Sequence, residues 1–265
     1  FSPGRVQFAI SEMNRYRNEY GGERLQFNTI KLFMDGVNPS RAGAMLEPYA
    51  DDPDYVGKTM LTAEELRNFL LELNEEEFDI HIHTMSDLAV REVLDAVEAA
   101  RDIAGEDFYP RVTIAHLQII DAADMPRIKE LGIICNYTPW WFAGDRDDPL
   151  KVAFGDDRYG NAYRAKTLME SGVTVTFSSD EWWGGELLWS YLDPFFGIQI
   201  GHTRQYPTEW REEGDEEIRP SEDERLSIEQ MIVGYTRQGA YQLRMEDEIG
   251  SIETGKIADL VVLDD

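Results

Sequence analysis

The chain has 265 residues, enough for one barrel-sized α/β domain with a large core. It carries 52 acidic and 25 basic residues, a net charge of −27, a field that repels nucleic acid and anionic membranes and so excludes both as partners. Only six of the basic residues are lysines, and an acidic, lysine-poor surface points to a salt-adapted (halophilic) protein, with an ordinary acidic cytoplasmic protein as the alternative.

In chain order, residues 5–20 read as an Arg-rich amphipathic helix and 28–34 as the first strand. A long loop follows through Pro39, Gly43, Pro48 and Asp51-Asp52-Pro53-Asp54. Thr62-Ala63-Glu64-Glu65 is a capping box opening a helix through Leu66, Phe69, Leu70 and Leu73. A strand at 78–83, a helix at 86–104, a strand at 111–116, a helix at 123–131 and a strand at 132–137 come next. Then follow a Trp- and Asp-rich loop, a helix at 163–171 and a strand at 173–178. Residues 181–225 read as a long functional loop with an acidic tip and with His202 in it. Ser227-Ile228-Glu229-Gln230 starts a last helix to about residue 243, and 250–263 reads as a turn leading into a strand.

Strand–helix alternation of this kind marks a parallel sheet. Five strands are counted, so a closed barrel would lack three; an open doubly wound sheet is the rival, weakened by the lack of a Gly-rich phosphate turn. No apolar run reaches eighteen residues, so no membrane span is expected. The sequence starts Phe-Ser-Pro-Gly and ends on a strand-like run, so both ends are expected to be cut from a longer protein. The single cysteine, Cys135, lies in an apolar strand and reads as a structural thiol.

Four chemistry-bearing side chains sit at the downstream ends of apolar runs: Lys31, His83, His116 and Asp180. On parallel strands of one barrel they converge at the mouth where barrel enzymes place their chemistry. Singly, each has a plain reading. Lys31 snorkels, His116 fills a core, and Asp180 caps the next segment. His81 and His83 share a strand face, so they form a His-x-His pair or only His83 reaches the mouth; its place nearer the strand end favours the latter. Together the two imidazoles, carboxylate and amine suit a zinc-class ion, provided the lysine amine is carbamylated to an anionic ligand. Trp140, Trp141, Trp182 and Trp183 follow the last two strands and are candidates for an apolar substrate pocket. Arg41, Tyr137 and His202 are weaker candidates.

The residues Ile30-Lys31-Leu32-Phe33-Met34-Asp35-Gly36, Ser40-Arg41, Leu46-Glu47-Pro48-Tyr49, His83 with Asp87, Ile114-Ala115-His116-Leu117-Gln118, Phe177-Ser178-Ser179-Asp180, Tyr235-Thr236 and Gly250–Leu263 give the chain a resemblance over nearly its whole length. It resembles the amidohydrolase superfamily, in particular amidohydrolase family 3, which includes N-substituted formamide deformylase and exoenzyme regulatory proteins. The resemblance implies a partial (β/α)8 TIM barrel, about strands four to eight, over residues 1–248, with 249–265 returning towards a small C-terminal β-sandwich. It implies Lys31 as a carbamylated ligand bridging one or two divalent ions, His83, His116 and Asp180 as further ligands, and Asp180 as the proton carrier. It implies hydrolysis of carbon–nitrogen bonds other than peptide bonds, of amide, formamide or cyclic imide type, by a metal-bound hydroxide attacking a carbonyl in a small-molecule substrate. The expected setting is cytoplasmic.

The chain departs from the family pattern at several points. The strand-one His-x-His pair has no counterpart, Ala115 stands where Glu is usual, His81 replaces a small residue, and Glu181-Trp182-Trp183 replaces Ala-Pro-Val. Weak or absent metal binding by this stretch alone is therefore expected, together with a homo-oligomer covering the open sheet edges. The alternative function is a non-catalytic regulatory or binding relative.

Overall fold

Five short runs rich in Val, Ile, Thr and Phe, residues that suit a pleated and half-buried surface, form the sheet. They are Thr29–Phe33 (β1), Asp79–Thr84 (β2), Val112–His116 (β3), Ile134–Tyr137 (β4) and Thr174–Phe177 (β5). The computed structural model describes residues 3–23, 25–144, 147–180, 190, 192–211, 213–214, 216–218 and 220–263.

All pairings are parallel, in the order β1-β2-β3-β4-β5. Right-handed crossovers with an order that never reverses return along one face of the sheet. A doubly wound sheet needs a reversal, and the five described strands show none. The register shows two unlike faces. Leu32, Ile82, Ile114, Cys135 and Val175 align in one row and are all buried. Each large member contributes about 2 kcal/mol of apolar burial. The neighbouring row on the other face reads Phe33, His83, Ala115, Asn136 and Thr176, and β1 shows Thr29, Lys31 and Phe33 exposed there.

Helix α1 (Pro3–Tyr20) lies ahead of β1. The predicted capping box opens α2 (Ala63–Glu75): the Glu65 amide donates to Thr62 Oγ1 at 3.2 Å and the Thr62 amide to Glu65 Oε2 at 2.9 Å. Helix α3 (Asp87–Ala104) buries Val90, Val93, Leu94 and Val97. Short helices α4 (Met125–Glu130), α5 (Pro149–Tyr159) and α6 (Ala165–Glu170) follow. Buried Cys135 has its thiol pKa pushed up by burial, as a structural thiol should.

Four expectations are corrected. The Trp/Asp-rich loop contains α5, capped by Asp148 and bent at Gly155, whose φ of 72° only glycine adopts at no cost. The loop read over 181–225 contains α7 (Pro194–Thr203): the Asp193 carboxylate accepts from the Phe195 amide at 2.9 Å and Pro194 occupies the first turn. His202 is therefore helical, its Nδ1 2.8 Å from the Leu226 carbonyl. The last helix starts at its capping box but splits at Thr236 (φ −114°, ψ −87°) into α8 (Ile228–Tyr235) and α9 (Arg237–Gln242). The break presents Gln238 Oε1 to the Val175 amide at 2.9 Å, satisfying a donor on the β5 edge. Finally, 257–263 is not a strand. Leu260, Val261 and Val262 are 62, 75 and 91% exposed, and no described strand pairs with this run, without which a strand is not stable. Among the described residues, no helix is long and apolar enough to cross a membrane.

Candidate functional site

Lys31 and His83 lie on the polar face of β1 and β2, on adjacent register rows. The His83 ring packs 4.7 Å from Phe33 and 4.5 Å, edge-on, from His116. By strand alternation His116, two residues after Ile114, belongs to the apolar face. Its φ of 81°, followed by 42° at Leu117, turns the backbone so that the imidazole meets His83 instead. Asp180 has a φ of 48°. Left-handed backbone at such residues costs about 1–3 kcal/mol each, and strain held at the ends of β3 and β5 points to a job for these side chains.

Asp180 Oδ2 stands 4.0 Å from His116 Nε2, with its side chain 42% exposed. The Lys31 amine lies 5.6 Å from the centre of the Phe33 ring. Crowding by protein lowers its pKa, and the charge of Asp180 opposes that shift. Burial, and secondarily the Lys31 charge, pulls His83 down to about 4. Burial also holds His116 well below the ordinary histidine value and His81 down at about 3. The imidazoles are thus neutral at neutral pH, the form that ligates metal.

Among the described residues, His83 Nε2 and His116 Nδ1 are buried with no hydrogen-bond partner. Such orphaned nitrogens are rare in finished cores and fit a divalent ion. Among the described residues, no three His, Cys, Asp or Glu side chains stand close enough to hold one by themselves. The donor set among the described residues is two imidazoles, one nearby carboxylate and an amine that ligates only once carbamylated.

Trp141 stacks on His116 at 5.0 Å with rings 29° apart. Trp140 lies across Trp141 at 5.4 Å, and its Nε1 donates to the Ser179 carbonyl at 2.8 Å, tying the segment after β4 to that after β5. Trp182 and Trp183 lie outside the described residues. Two weaker candidates point elsewhere. Tyr137 is buried on the helix-covered face against Phe142, and Arg41 is paired with Asp51.

A second polar cluster was not foreseen. The Asp35 carboxylate accepts from the amides of Met85 (2.8 Å), Ala44 (3.1 Å) and Ser86 (3.1 Å). Burial pushes its pKa up to about 6 against the pull of those bonds. Asn38 Oδ1 accepts from Tyr49 and Ser86, both at 2.8 Å; its Nδ2 donates to Gln118 Oε1 at 2.9 Å, and Gln118 Nε2 donates to the Tyr163 hydroxyl at 2.7 Å. This network joins the loops after β1, β2 and β3. Asp35-Gly36, Tyr49 and Gln118 stood in the motifs quoted above, but nothing in their spacing showed that they meet.

Comparison with known proteins bears on this arrangement. The family model described as "Amidohydrolase family" matches residues 5–265. The chain is 28% identical over 244 residues to putative amidohydrolase YtcJ of Bacillus subtilis (strain 168), covering 91% of this chain and 43% of that protein. It is 25% identical over 256 residues to N-substituted formamide deformylase of Arthrobacter pascens, covering 91% and 41%. Among solved structures, an uncharacterized metal-dependent hydrolase from Pyrococcus furiosus superposes with a TM-score of 0.73 at 25% identity, over 94% of this chain and 47% of that one. The chain spans less than half the length of these relatives. A match over nearly every residue, on a parallel sheet that gathers neutral imidazoles at its strand ends, makes this chain a member of the amidohydrolase family.

Proposed function

We propose that the chain is part of a metal-dependent hydrolase acting on carbon–nitrogen bonds other than peptide bonds, of amide, formamide or cyclic imide type. On this reading β1 to β5 are strands four to eight of a (β/α)8 barrel, of which 1–248 is a portion, and 249–265 leads towards a small β-sandwich without forming a strand here. The observation that carries it is the convergence of His83, His116 and Asp180, with Lys31 within reach of the Asp180 charge.

His83 and His116 would hold a zinc-class ion through their orphaned nitrogens, with Asp180 and carbamylated Lys31 as anionic partners. Such an ion supplies Lewis acidity, making water nucleophilic near neutral pH and polarising a carbonyl. Asp180, partly open to solvent, takes up a proton and passes it to the leaving nitrogen. Trp141 holds the His116 ring by stacking, and with Trp140 forms the wall against which a small-molecule substrate lies.

The test is hydrolysis of N-formyl and N-acyl amines by the zinc-loaded parent protein and by its Asp180→Asn variant. Turnover lost in the variant is the expected result; a parent that leaves a broad panel intact overturns the reading. The second reading, a binding or regulatory relative without turnover, draws on Ala115, which puts a methyl group between His83 and Asn136 in the inner row.

A further inference from the structure

A histidine that serves a metal is ordinarily aimed by a hydrogen bond on its other ring nitrogen. His116 has no such bond. Among the described residues its Nδ1 has no partner, and its Nε2 stands 4.0 Å from Asp180 Oδ2. The direction of the ring is therefore set by the backbone that carries it and by the Trp141 face 5.0 Å away. That backbone is strained. His116 ends β3 with a φ of 81°, and Leu117 follows at 42°. Both carry side chains in a region that favours glycine. An ordinary extended φ at His116 would return the imidazole to the apolar face, away from His83. Such a turn persists only where its surroundings over-determine it.

The surroundings are bonds on both sides of the turn. The Leu117 amide donates to the Thr84 carbonyl at 3.0 Å and the Ile119 amide to the Met85 carbonyl at 3.2 Å, tying the turn to the end of β2 and the residue after it. Between them Gln118 is held three times. Its carbonyl accepts from the Tyr163 amide at 3.0 Å, its Oε1 accepts from Asn38 Nδ2 at 2.9 Å, and its Nε2 donates to the Tyr163 hydroxyl at 2.7 Å. Asn38 is fully buried, and its Oδ1 is itself bonded by Tyr49 and Ser86. Gln118 is only 5% exposed, so water is a poor substitute for either side-chain bond. A primary amide offers an acceptor to Asn38 and a donor to Tyr163 from one planar group. A side chain that only filled space beside Leu117 would need neither.

We propose that Gln118 is a positioning residue: its bonds to Asn38 and Tyr163 hold the left-handed turn that aims the His116 imidazole at His83 and Asp180. That this aim serves a hydrolysis rests on the hydrolase reading; the aim itself does not.

The test reads the ring directly and needs no turnover. Gln118→Met keeps the length of the side chain and loses both of its bonds. Tyr163→Phe loses one of them and keeps the amide on the Gln118 carbonyl. Thr62→Ala removes the cap of α2, in another element, and controls for lost stability alone. The full chain has four histidines, so carbon–proton correlation spectra of the imidazoles resolve each ring, and His116→Gln assigns the His116 signal. In the wild type the Trp141 face shifts that signal upfield. Gln118→Met is expected to lose more than half of the upfield shift and Tyr163→Phe a smaller part, whereas Thr62→Ala keeps it. A His116 signal unmoved in Gln118→Met, or moved equally in Thr62→Ala, overturns the proposal. Should Gln118→Met fail to fold, Tyr163→Phe decides in the same way. An unmoved signal beside a parent protein that hydrolyses amides would overturn the proposal and leave the hydrolase reading standing. A displaced signal beside a parent that hydrolyses none would remove the hydrolase reading and leave Gln118 as the residue that aims the ring.

Discussion

Two buried polar clusters sit at the same ends of β1, β2 and β3, and they are finished differently. Around Asp35 every strong acceptor has found a donor: three backbone amides on the carboxylate, two hydroxyls on Asn38 Oδ1. Around His83 and His116, two ring nitrogens have none among the described residues. A saturated cluster locks loops together; an unsaturated one on strained backbone adds little to that lock.

The contrast can be broken most forcefully at Asp35. Asp35→Ala leaves three amides without an acceptor and is expected to lose about 3 kcal/mol or more, read from the urea midpoint. A loss under about 1 kcal/mol would mean that the cluster is not a lock. The pH dependence comes next. The folded carboxyl titrates near 6 against an ordinary 3.8, so the folded state keeps a proton that the unfolded chain releases. Its contribution is fully present below about pH 4 and is lost as pH rises through about 6, a change of about 2–3 kcal/mol. Wild type should therefore gain stability on acidification relative to Asp35→Asn; parallel urea-midpoint curves would refute this.

Smaller effects sharpen the same comparison. Ser86→Ala removes one donor to Asn38 and should cost about 1 kcal/mol in the same denaturation assay. His83→Phe, in the unsaturated cluster, should change stability by less than about 1 kcal/mol, because Nε2 has no bond to lose. On the proposed metal reading, it should also abolish any rise in Tm that added zinc gives the wild type. A zinc shift that survives this substitution would place the ion elsewhere.

The five strands were legible because their apolar runs are local: Ile30, Leu32, Ile80, Ile82 and Ile114 announce buried rows whatever lies far away. The two capping boxes, at Thr62 and Ser227, were legible for the same reason. Lys31, His83, His116 and Asp180 stand out in the sequence by their places at run ends; in the fold His83 meets His116, His116 lies near Asp180, and Lys31 feels the Asp180 charge. What escaped depends on distant partners. Asp35 meets amides 9, 50 and 51 residues away. The split at Thr236 makes sense only once Gln238 is seen on the Val175 amide. The apolar run at 257–263 had strand composition, and composition without a neighbouring ladder left it exposed and without regular structure. Helix α7 was hidden because it is apolar nearly all round, so no periodic stripe betrayed it; Asp193-Pro194 was the readable start.

The left-handed turns at His116 and Asp180 also bear on how such a protein changes over generations. Each of these two side chains sits where the ladder stops, so its direction is set by a few dihedral angles beyond the sheet. Substitutions in those short stretches can re-aim a side chain while the row from Leu32 to Val175 stays as it is. A scaffold arranged in this way separates the aim of its strand-end groups from the integrity of its core.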